Sequence, residues 1–210
     1  NIGHCHPKVV AALHKQIDKF THTFFQQLPY ESYVTLAERL NECTPGSYDK
    51  TTVLLTDGAT AVENALKVAR AYTKRSGVIS FHGCFHGRSL YTTTLAGKVK
   101  PYKNNMGAPV GEVYHIPFNV ADAQVALENL FKHTVDPSQI AAIIIEPIQG
   151  EGGFNIASVY LLKMIRRLCD QYGIVFIADE IQTGFARTGK MFALQHHNIE
   201  PDIICMSKSI

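Results

Sequence analysis

The sequence predicts an α/β domain whose sheet is mainly parallel and carries helices on both faces. Helical and strand patterns alternate along the chain, which is typical of parallel sheets built from βαβ units. Two strand-like runs, IAAIIIEP and IVFIADE, are almost continuously apolar, as in strands buried on both faces. The composition agrees, because 46% of the 210 residues are hydrophobic and 18% are charged.

The first half of the chain predicts two helices followed by a βαβ unit. Apolar residues recur at helical spacing in HPKVVAALHKQIDKF and in YESYVTLAERLNEC. Pro7 suits a first helical turn, and Pro45 and Gly46 end the second helix. The run TTVLLTDG then predicts a strand ending at Gly58, followed by a helix over ATAVENALKVARAYTKRSG and a strand over VISFHG.

The second half continues the alternation. Asn119 is a typical cap for a helix through Phe131, and Ser158 for a helix that Gly173 ends. The two apolar strands come before and after this second helix. A short helix over MFALQHHN then precedes a last strand, DIICMSKS.

Charge and cysteine content exclude several classes of protein. The net charge is +2 and no basic cluster exceeds a pair, so nothing favours nucleic acid or an acidic membrane. No apolar run approaches the roughly 18–20 residues that span a bilayer. The five scattered cysteines form no CxxC motif and predict reduced thiols in a cytoplasmic setting. The chain begins without Met, so organellar targeting by a preceding segment stays open.

The residues that could bind a ligand or take part in a reaction lie at the predicted strand ends. In parallel sheets, ligands bind at the carboxyl ends of the strands. Those ends here are Asp57–Gly58, Phe81 to Arg88, Glu146, Asp179–Glu180 and Ser207–Lys208. A glycine turn before a helix suits a phosphate, a carboxylate suits a protonated ring nitrogen, and a lysine amine suits an aldehyde. Pyridoxal phosphate (PLP) requires this combination of groups.

Five segments resemble, in the same order, those of the class III (ω-amino acid) aminotransferases of PLP fold type I. They are GATAVENALKVAR, FHGCFHGR, IIIEPIQGEGG, FIADEIQTGFARTGK and PDIICMSKSI. Together with THTFFQQLPYESY and LAGKVKPY, they are most similar to 4-aminobutyrate aminotransferases. The resemblance implies PLP as cofactor, a terminal amine as amino donor and a 2-oxo acid as acceptor.

The resemblance also implies an organisation. It predicts an N-terminal helical segment over 1–47 and a PLP-binding large domain over 48–210. A small domain would follow beyond residue 210, so the chain would be a fragment of the large domain. The family implies a homodimer or a dimer of dimers.

The resemblance assigns the cofactor contacts residue by residue. Lys208 would form a Schiff base with the cofactor aldehyde and then move a proton between two carbons. Asp179 would keep the pyridine nitrogen protonated. Phe85 and Ile181 would pack against opposite ring faces, and Gln182 would bind the phenolic oxygen.

Gly58 and Ala59 would lie at the phosphate. Ala59 and Thr60 depart from the family, which has a hydroxyl residue and a glutamate there, so we expect weaker PLP binding, with Thr60 as a partial replacement. His86 belongs to the cofactor segment without an assigned contact, and Glu180 should point to the opposite face of its strand.

Three further residues would bind substrate. Arg88 would clamp a substrate carboxylate, and Glu146 would pair with that arginine. Glu151 would pair with a second arginine nearer the C-terminus of the complete protein.

Several alternatives stay open at this point. A class III aminotransferase acting on acetylornithine, ornithine, 5-aminovalerate or a diamine fits the same motifs. Decarboxylation or racemisation on the same scaffold, or an inactive truncated fragment, also fits. The two carboxylates Glu146 and Glu151 are a weak indication of glycoside hydrolysis, which uses a pair of acids. Two histidine- and cysteine-containing clusters raise a zinc site, although neither has usual zinc spacing, and we expect no metal: His4, Cys5, His6 and His82, Cys84, His86.

Overall fold

The computed structural model describes residues 3–210, so the first two residues of the predicted N-terminal segment lie outside the described residues. The described chain forms two compact units. The first comprises residues 3–43 and 49–54, and the second comprises 44–48 and 55–210. The boundary expected between residues 47 and 48 stays a prediction.

The first unit contains two helices, α1 (Pro7–Ile17) and α2 (Glu31–Cys43). Both were predicted, with Pro7 in the first turn of α1. The predicted apolar face of α1 is not covered, since Leu13 is 57% exposed and Ile17 is 61% exposed. Aromatic rings pack together after α1, with the Phe25 and Tyr33 ring centroids 3.7 Å apart.

The second unit is built on a parallel sheet. Its strands and the adjoining two-stranded hairpin are β1 (Gly77–Phe81), β2 (Val113–Ile116), β3 (Ile140–Ile145), β4 (Ile148–Gln149), β5 (Asn155–Ile156), β6 (Val175–Asp179) and β7 (Ile203–Cys205). The sheet order is β2-β1-β3-β6-β7 and every pairing within it is parallel. Strands β4 and β5 form a separate antiparallel pair.

Helix α3 (Gly58–Thr73) precedes β1, and three further helices lie between successive strands: α4 (Leu90–Leu95), α5 (Val120–His133) and α6 (Val159–Tyr172). The predicted caps are present. The Asn119 side chain accepts from the Asp122 N–H at 3.0 Å, and the Ser158 hydroxyl accepts from the Leu161 N–H at 3.1 Å. Gly173 ends α6 in the left-handed region with φ 63°, a conformation that glycine adopts without strain.

Helices cover both faces of the sheet, as predicted. On one face, Val62 and Leu66 of α3 pack with Ile144 and Ile177 of the central strands. On the other, apolar residues of α5 and α6 pack with the side chains that alternate with these, such as Ile143. Strands β1, β3 and β6 are buried along their whole length, because helices lie above and below them. The α/β fold class is therefore confirmed.

One predicted strand is wrong. The TTVLLTDG run over 51–58 forms no strand, and Val53 is 65% exposed. The Leu54 N–H donates to the Tyr33 hydroxyl at 3.0 Å instead of to another strand. A β-branched run forms a strand only when a neighbouring strand pairs with it, and no strand does so within residues 3–210.

Three elements were not predicted: α4, β2 and the β4–β5 hairpin. Helix α4 has the sequence LYTTTL, whose threonines disfavour a helix, but most of its residues are buried. Burial in the second unit therefore outweighs local preference. The MFALQHHN helix is confirmed as a short 3-10 turn, Ala193–His196.

The sheet order reverses between β1 and β3. The chain leaves β1 for β2 on one side and then returns to add β3, β6 and β7 on the other. Such a switch point leaves a crevice at the carboxyl ends of the two strands, where α/β proteins bind ligands.

Candidate active site

A cavity of about 370 Å³ opens at the carboxyl edge of the sheet, within the size range of ligand pockets. Its lining contains the residues that the sequence analysis assigned to cofactor and substrate, except Thr60, together with Gly87 and Ser207. The lining residues are Gly58, Ala59, Phe85, His86, Gly87, Arg88, Glu146, Glu151, Asp179, Ile181, Gln182, Ser207 and Lys208. The ends of β1, β3, β6 and β7 and the start of α3 thus meet at one place.

A buried ion pair lies in this cavity. His86 Nδ1 is 2.7 Å from Asp179 Oδ2, and both side chains are almost fully buried. Burial disfavours a charged imidazole, but the interactions with Cys84 and with the Asp179 carboxylate prevail and raise the pKa of His86 well above its ordinary value. Asp179 Oδ1 also accepts from the Ile181 N–H at 3.1 Å. The carboxylate is therefore fixed by two donors.

The other imidazole nitrogen of His86 is unpaired. Within residues 3–210, Nε2 is the buried side-chain nitrogen or oxygen that has no hydrogen-bond partner. Folded proteins pair almost all such atoms, so an unpaired one in a cavity wall indicates a site for a ligand or an ordered water. Sequence reasoning included His86 in the site but missed its contact with Asp179.

Glu146, at the end of β3, organises two turns. Its Oε2 accepts from the Phe85 N–H at 2.9 Å, and its Oε1 accepts from the Gly150 N–H at 3.2 Å. Burial raises the pKa of Glu146 to about 7, with Asp179 adding to the rise and His86 opposing it. The carboxyl group thus connects the loop after β1 to the loop after β3.

The expected pairing of Glu146 with Arg88 is wrong for the described residues. No salt bridge joins them among the described residues, and the Glu146 oxygens accept instead from two backbone N–H groups. Arg88 is exposed, and its guanidinium carbon lies 5.8 Å from the centroid of the Phe85 ring. The guanidinium therefore lies at the cavity rim beside an aromatic wall.

The start of α3 forms another wall. The Asp57 carboxylate caps the helix by accepting from the Thr60 N–H at 2.9 Å and from the Thr60 hydroxyl at 2.8 Å. The Thr60 hydroxyl is thus engaged with Asp57, and Thr60 is not in the cavity lining, so its expected contact with phosphate is not supported. Gly58 and Ala59 do line the cavity, in the first turn, where N–H groups lack intrahelical partners.

Glycines allow the loops to approach one another. A Cβ on Gly87, whose φ is +135°, would lie 2.6 Å from the Ala59 Cβ. A Cβ on Gly150 would lie 1.4 Å from the Gln182 Oε1. Side chains at either glycine would displace the wall of the cavity, and this explains the requirement for glycine.

Lys208 follows β7 and is exposed at the cavity. Its φ is 53°, in the left-handed region that non-glycine residues rarely adopt. Strained backbone of this kind concentrates at functional sites. The position supports a role for this lysine beyond that of a surface charge.

The neighbouring acid Glu180 does not line the cavity. Its Oε2 accepts from the Ala193 N–H and its Oε1 from the Leu194 N–H, each at 2.9 Å, so it holds the 3-10 turn in place. Burial raises its pKa. Its separation from the site agrees with the alternation expected along a strand.

The histidine and cysteine clusters do not converge. Cys84 Sγ contacts the Ser80 hydroxyl at 3.0 Å, His86 pairs with Asp179, and His82 is exposed. In the part of the chain that the structure describes, no group of three or more His, Cys, Asp or Glu side chains has the geometry for a metal ion. No helix in the same part is both long enough and apolar enough to cross a membrane.

The residues present fit PLP. Asp179 offers a carboxylate fixed in the cavity wall, Lys208 offers an amine, and the first turn of α3 offers helical N–H groups for a phosphate. Apolar side chains of Phe85 and Ile181 contribute to the same lining. The set supplies an acid for a ring nitrogen, an amine for an aldehyde and surfaces for an aromatic ring.

Comparison with known proteins places the chain in a family. The model of the family described as aminotransferase class III matches residues 1–210. The chain therefore belongs to the class III aminotransferases, which are PLP-dependent, and the predicted family and cofactor are confirmed.

Curated relatives cover the whole chain. It is 50% identical to the 5-aminovalerate aminotransferase DavT of Pseudomonas putida over 100% of this chain and 51% of that protein. It is 48% identical to the 4-aminobutyrate aminotransferase GabT of Escherichia coli with the same coverage. The chain thus spans about half the length of the curated relatives it matches.

Solved structures share the fold. A taurine:2-oxoglutarate aminotransferase from Bifidobacterium kashiwanohense, in complex with PLP and glutamate, matches 97% of this chain and 49% of its own with a TM-score of 0.88 at 28% identity. The ornithine aminotransferase from Toxoplasma gondii matches 96% of this chain and 47% of its own with a TM-score of 0.83 at 33% identity.

Proposed function

We propose that the protein transfers an amino group from a terminal amine to a 2-oxo acid, with 4-aminobutyrate as donor and 2-oxoglutarate as acceptor. The products would be succinate semialdehyde and glutamate. The observation that carries the proposal is the convergence of Lys208 with the His86–Asp179 pair on one cavity. A lysine amine for the cofactor aldehyde and an aspartate for its ring nitrogen form a pair of groups that PLP-binding sites use.

The cofactor, when bound, supplies an aldehyde for amines and a ring that accepts electrons from the substrate carbon. In this proposal Asp179, fixed by His86 and by the Ile181 N–H, keeps the ring nitrogen protonated. Lys208 would hold the cofactor through its amine and, once released by the substrate amine, would take the proton from the substrate carbon that bears the amino group. Phe85 and Ile181 flank the ring and exclude water, and Gln182 orients it.

The remaining charged residues would bind substrate. Arg88 presents a guanidinium fork at the rim, which suits bidentate binding of a carboxylate. In this arrangement the donor's carboxylate lies at Arg88 while its terminal amine reaches Lys208. Glu146 acts through the Phe85 and Gly150 N–H groups and so holds the aromatic wall in place. Glu151 stays a proposed substrate-side residue.

A second donor, 5-aminovalerate, has comparable support. The 5-aminovalerate aminotransferase DavT is 50% identical to the chain. The two donors differ by one methylene. A single methylene changes binding in an apolar pocket by only about 1–3 kcal/mol. Turnover of both donors, with kcat/KM as the measure, decides between them.

Cofactor trapping tests the site directly. The protein is incubated with PLP, reduced with borohydride and digested, and the pyridoxyl group is located by mass spectrometry. We expect it on Lys208 alone and expect it to be absent in Lys208→Ala. Lys190→Ala is a matched control, because Lys190 is exposed and is not part of the cavity lining. A folded protein that acquires no pyridoxyl group would exclude the proposed site.

Stoichiometry tests the reaction. One glutamate should form for each donor consumed when 2-oxoglutarate is present. Carbon dioxide release, or racemised donor without glutamate, would instead favour decarboxylation or racemisation. Because the chain spans half of its relatives, the same assay on a chain extended to their length would show whether residues 1–210 are an inactive fragment.

A homodimer, or a dimer of dimers, and a cytoplasmic location also belong to the proposal. All five cysteines lie among the described residues and are free, which supports a reducing compartment. Light scattering after size exclusion measures the assembly, and fractionation of cells measures the location.

A further inference from the structure

Ser207 lies in the cavity lining next to Lys208, although the sequence assigned it no contact. It is half-buried, and among residues 3–210 it is the one lining residue that carries a hydroxyl group. Within the same residues, no protein group forms a hydrogen bond with that hydroxyl. The hydroxyl is therefore available to a ligand in the cavity.

Ser207 also lies against the start of α3. A Cβ on Gly58 would be 3.4 Å from the Ser207 Cβ and 2.9 Å from the Ile181 Cδ1. Because Gly58 has no side chain, the segment after β7 comes close to the first turn of the helix. The N–H groups of that turn lack intrahelical acceptors and favour an anion. The Ser207 hydroxyl is thus beside the part of the cavity that suits a phosphate.

The side chains of the first turn of α3 offer no hydroxyl to the cavity. Ala59 lines the cavity without a polar side chain. The Thr60 hydroxyl and the Thr60 N–H both donate to the Asp57 carboxylate, at 2.8 and 2.9 Å. The Thr56 hydroxyl donates to the same carboxylate at 3.1 Å. An anion at this turn therefore finds a side-chain hydroxyl on Ser207 and not on the helix itself.

The chemistry of PLP connects this hydroxyl to the lysine beside it. The aldehyde and the phosphate-bearing carbon of PLP are attached to neighbouring atoms of the ring. A protein that holds the aldehyde at one residue must therefore bind the phosphate close by. Lys208 offers the amine for the aldehyde, and the preceding residue lies against the helix start that suits the phosphate.

We propose that Ser207 binds the phosphate of PLP by donating its hydroxyl hydrogen to a phosphate oxygen, and so supplies the side-chain donor that Ala59 lacks. The inference rests on the proposed function, in which Lys208 holds the cofactor. It adds a cofactor-binding residue whose contribution is to affinity. The cofactor is then held at neighbouring positions of the chain, by the Lys208 amine and by the Ser207 hydroxyl.

The experiment compares PLP with pyridoxal, which has an uncharged hydroxyl in place of the phosphate. Both ligands have the aldehyde that reacts with Lys208. Ser207→Ala should weaken PLP binding about tenfold, because a hydrogen bond to a charged acceptor is lost, and should change pyridoxal binding by less than about twofold. Fluorescence titration measures both affinities. Ser138→Ala is the control, since Ser138 is exposed and outside the cavity lining.

A second variant tests the same contact through charge. Ser207→Asp puts a carboxylate beside the phosphate, and the two like charges repel each other. PLP binding should weaken by more than about tenfold, whereas pyridoxal, which has no phosphate, should still bind. Ser138→Asp is the matched control for the added charge. Circular dichroism shows that each variant is folded, and this variant decides the inference if Ser207→Ala does not fold.

Three results would overturn the inference. They are unchanged PLP affinity in Ser207→Ala, equal weakening of PLP and pyridoxal by that change, and PLP binding to Ser207→Asp that is as tight as to the parent. A parent that binds no PLP would overturn both the inference and the proposed site. Failure of the proposed reaction alone looks different, because PLP would still be trapped at Lys208 while no glutamate formed.

Discussion

At the amino end of the sheet, Arg75 Nη1 donates to the backbone carbonyls of Ile140, Tyr172 and Gly173 at 3.2, 2.8 and 3.1 Å. At the carboxyl end, His86 is buried beside Asp179 and its Nε2 has no partner within residues 3–210. At the amino end, a cation binds backbone carbonyls at the start of β3 and at the end of α6. The other end keeps ionisable groups buried around a cavity.

The carboxylates differ in the same way. At the amino end, Asp202 accepts from the Phe176 N–H at 2.7 Å and pairs with Arg166 at 3.1 Å, in a half-exposed position. At the carboxyl end, burial raises the pKa of Glu146 to about 7. Polar groups at the first end satisfy backbone groups near the surface, whereas several of those at the second are buried around the cavity despite the cost of burying them. The following changes test this difference.

Asp179→Ala should have the largest effect on stability. It leaves the His86 imidazole buried without its partner, and breaking a buried pair in this way costs about 3–5 kcal/mol. Urea denaturation followed by circular dichroism measures the free energy of unfolding.

Asp170→Ala is the matched control for this change. Asp170 pairs with Arg166 at 2.8 Å on the surface, and exposed pairs contribute only about 0.2–1 kcal/mol. Equal losses of stability in Asp179→Ala and Asp170→Ala would show that the buried pair at the carboxyl end contributes no more to stability than a surface pair.

Glu146→Gln tests the carboxyl end through pH. The raised folded-state pKa means that the folded protein binds the proton more tightly than the unfolded chain, so this contribution is present below pH 4.5 and is lost as the pH rises through about 7. A difference of 7 − 4.5 = 2.5 pKa units corresponds to about 3 kcal/mol at most.

The free energy of unfolding of Glu146→Gln should therefore rise relative to the parent between pH 4.5 and 7, as measured by urea titrations across this range. Glu128→Gln, at an exposed helical position, should show no such trend. A constant difference between Glu146→Gln and the parent would contradict the assignment of a raised pKa.

Arg75→Ala sharpens the comparison from the amino end. It removes one donor shared by three carbonyls and should cost about 1.5–3 kcal/mol, because hydrogen bonds to a charged group are stronger than average. PLP trapping at Lys208 should be unchanged, since Arg75 lies away from the cavity lining. Arg167→Ala, at an exposed position on α6, is the control for stability. Loss of PLP trapping in a folded Arg75→Ala protein would show that Arg75, at the amino end of the sheet, affects the cofactor site at the carboxyl end.

Ala59→Ser should have the smallest effect. It returns a hydroxyl to the first turn of α3, at the cavity, where the family has one. A hydrogen bond to a charged acceptor predicts PLP binding that is about tenfold tighter, with little change in stability. Fluorescence titration with PLP measures this, and Ala71→Ser at an exposed position of the same helix is the control. Unchanged affinity would place the phosphate elsewhere.

Local sequence predicted much of this architecture. The caps at Asn119 and Ser158 and the end of α6 at Gly173 are confirmed, because each depends on neighbours within a few residues. The buried strands β3 and β6 are confirmed. Apolar runs this short and rich in β-branched residues favour a buried strand over a helix. The prediction of a strand over 51–58 was wrong because a strand forms only when a second strand pairs with it. The sequence of one segment does not show whether such a partner exists.

The sequence by itself determined which residues would meet at the carboxyl edge, since parallel strands bring their ends together once the βα alternation is established. Only the tertiary structure decided how those residues are paired. His86 and Asp179 are 93 positions apart, Glu146 accepts from Phe85 61 positions earlier, and Tyr102 reaches Glu151 across 49. Contacts of this kind depend on the packing of several elements, and that packing is a property of the whole sheet rather than of any one segment.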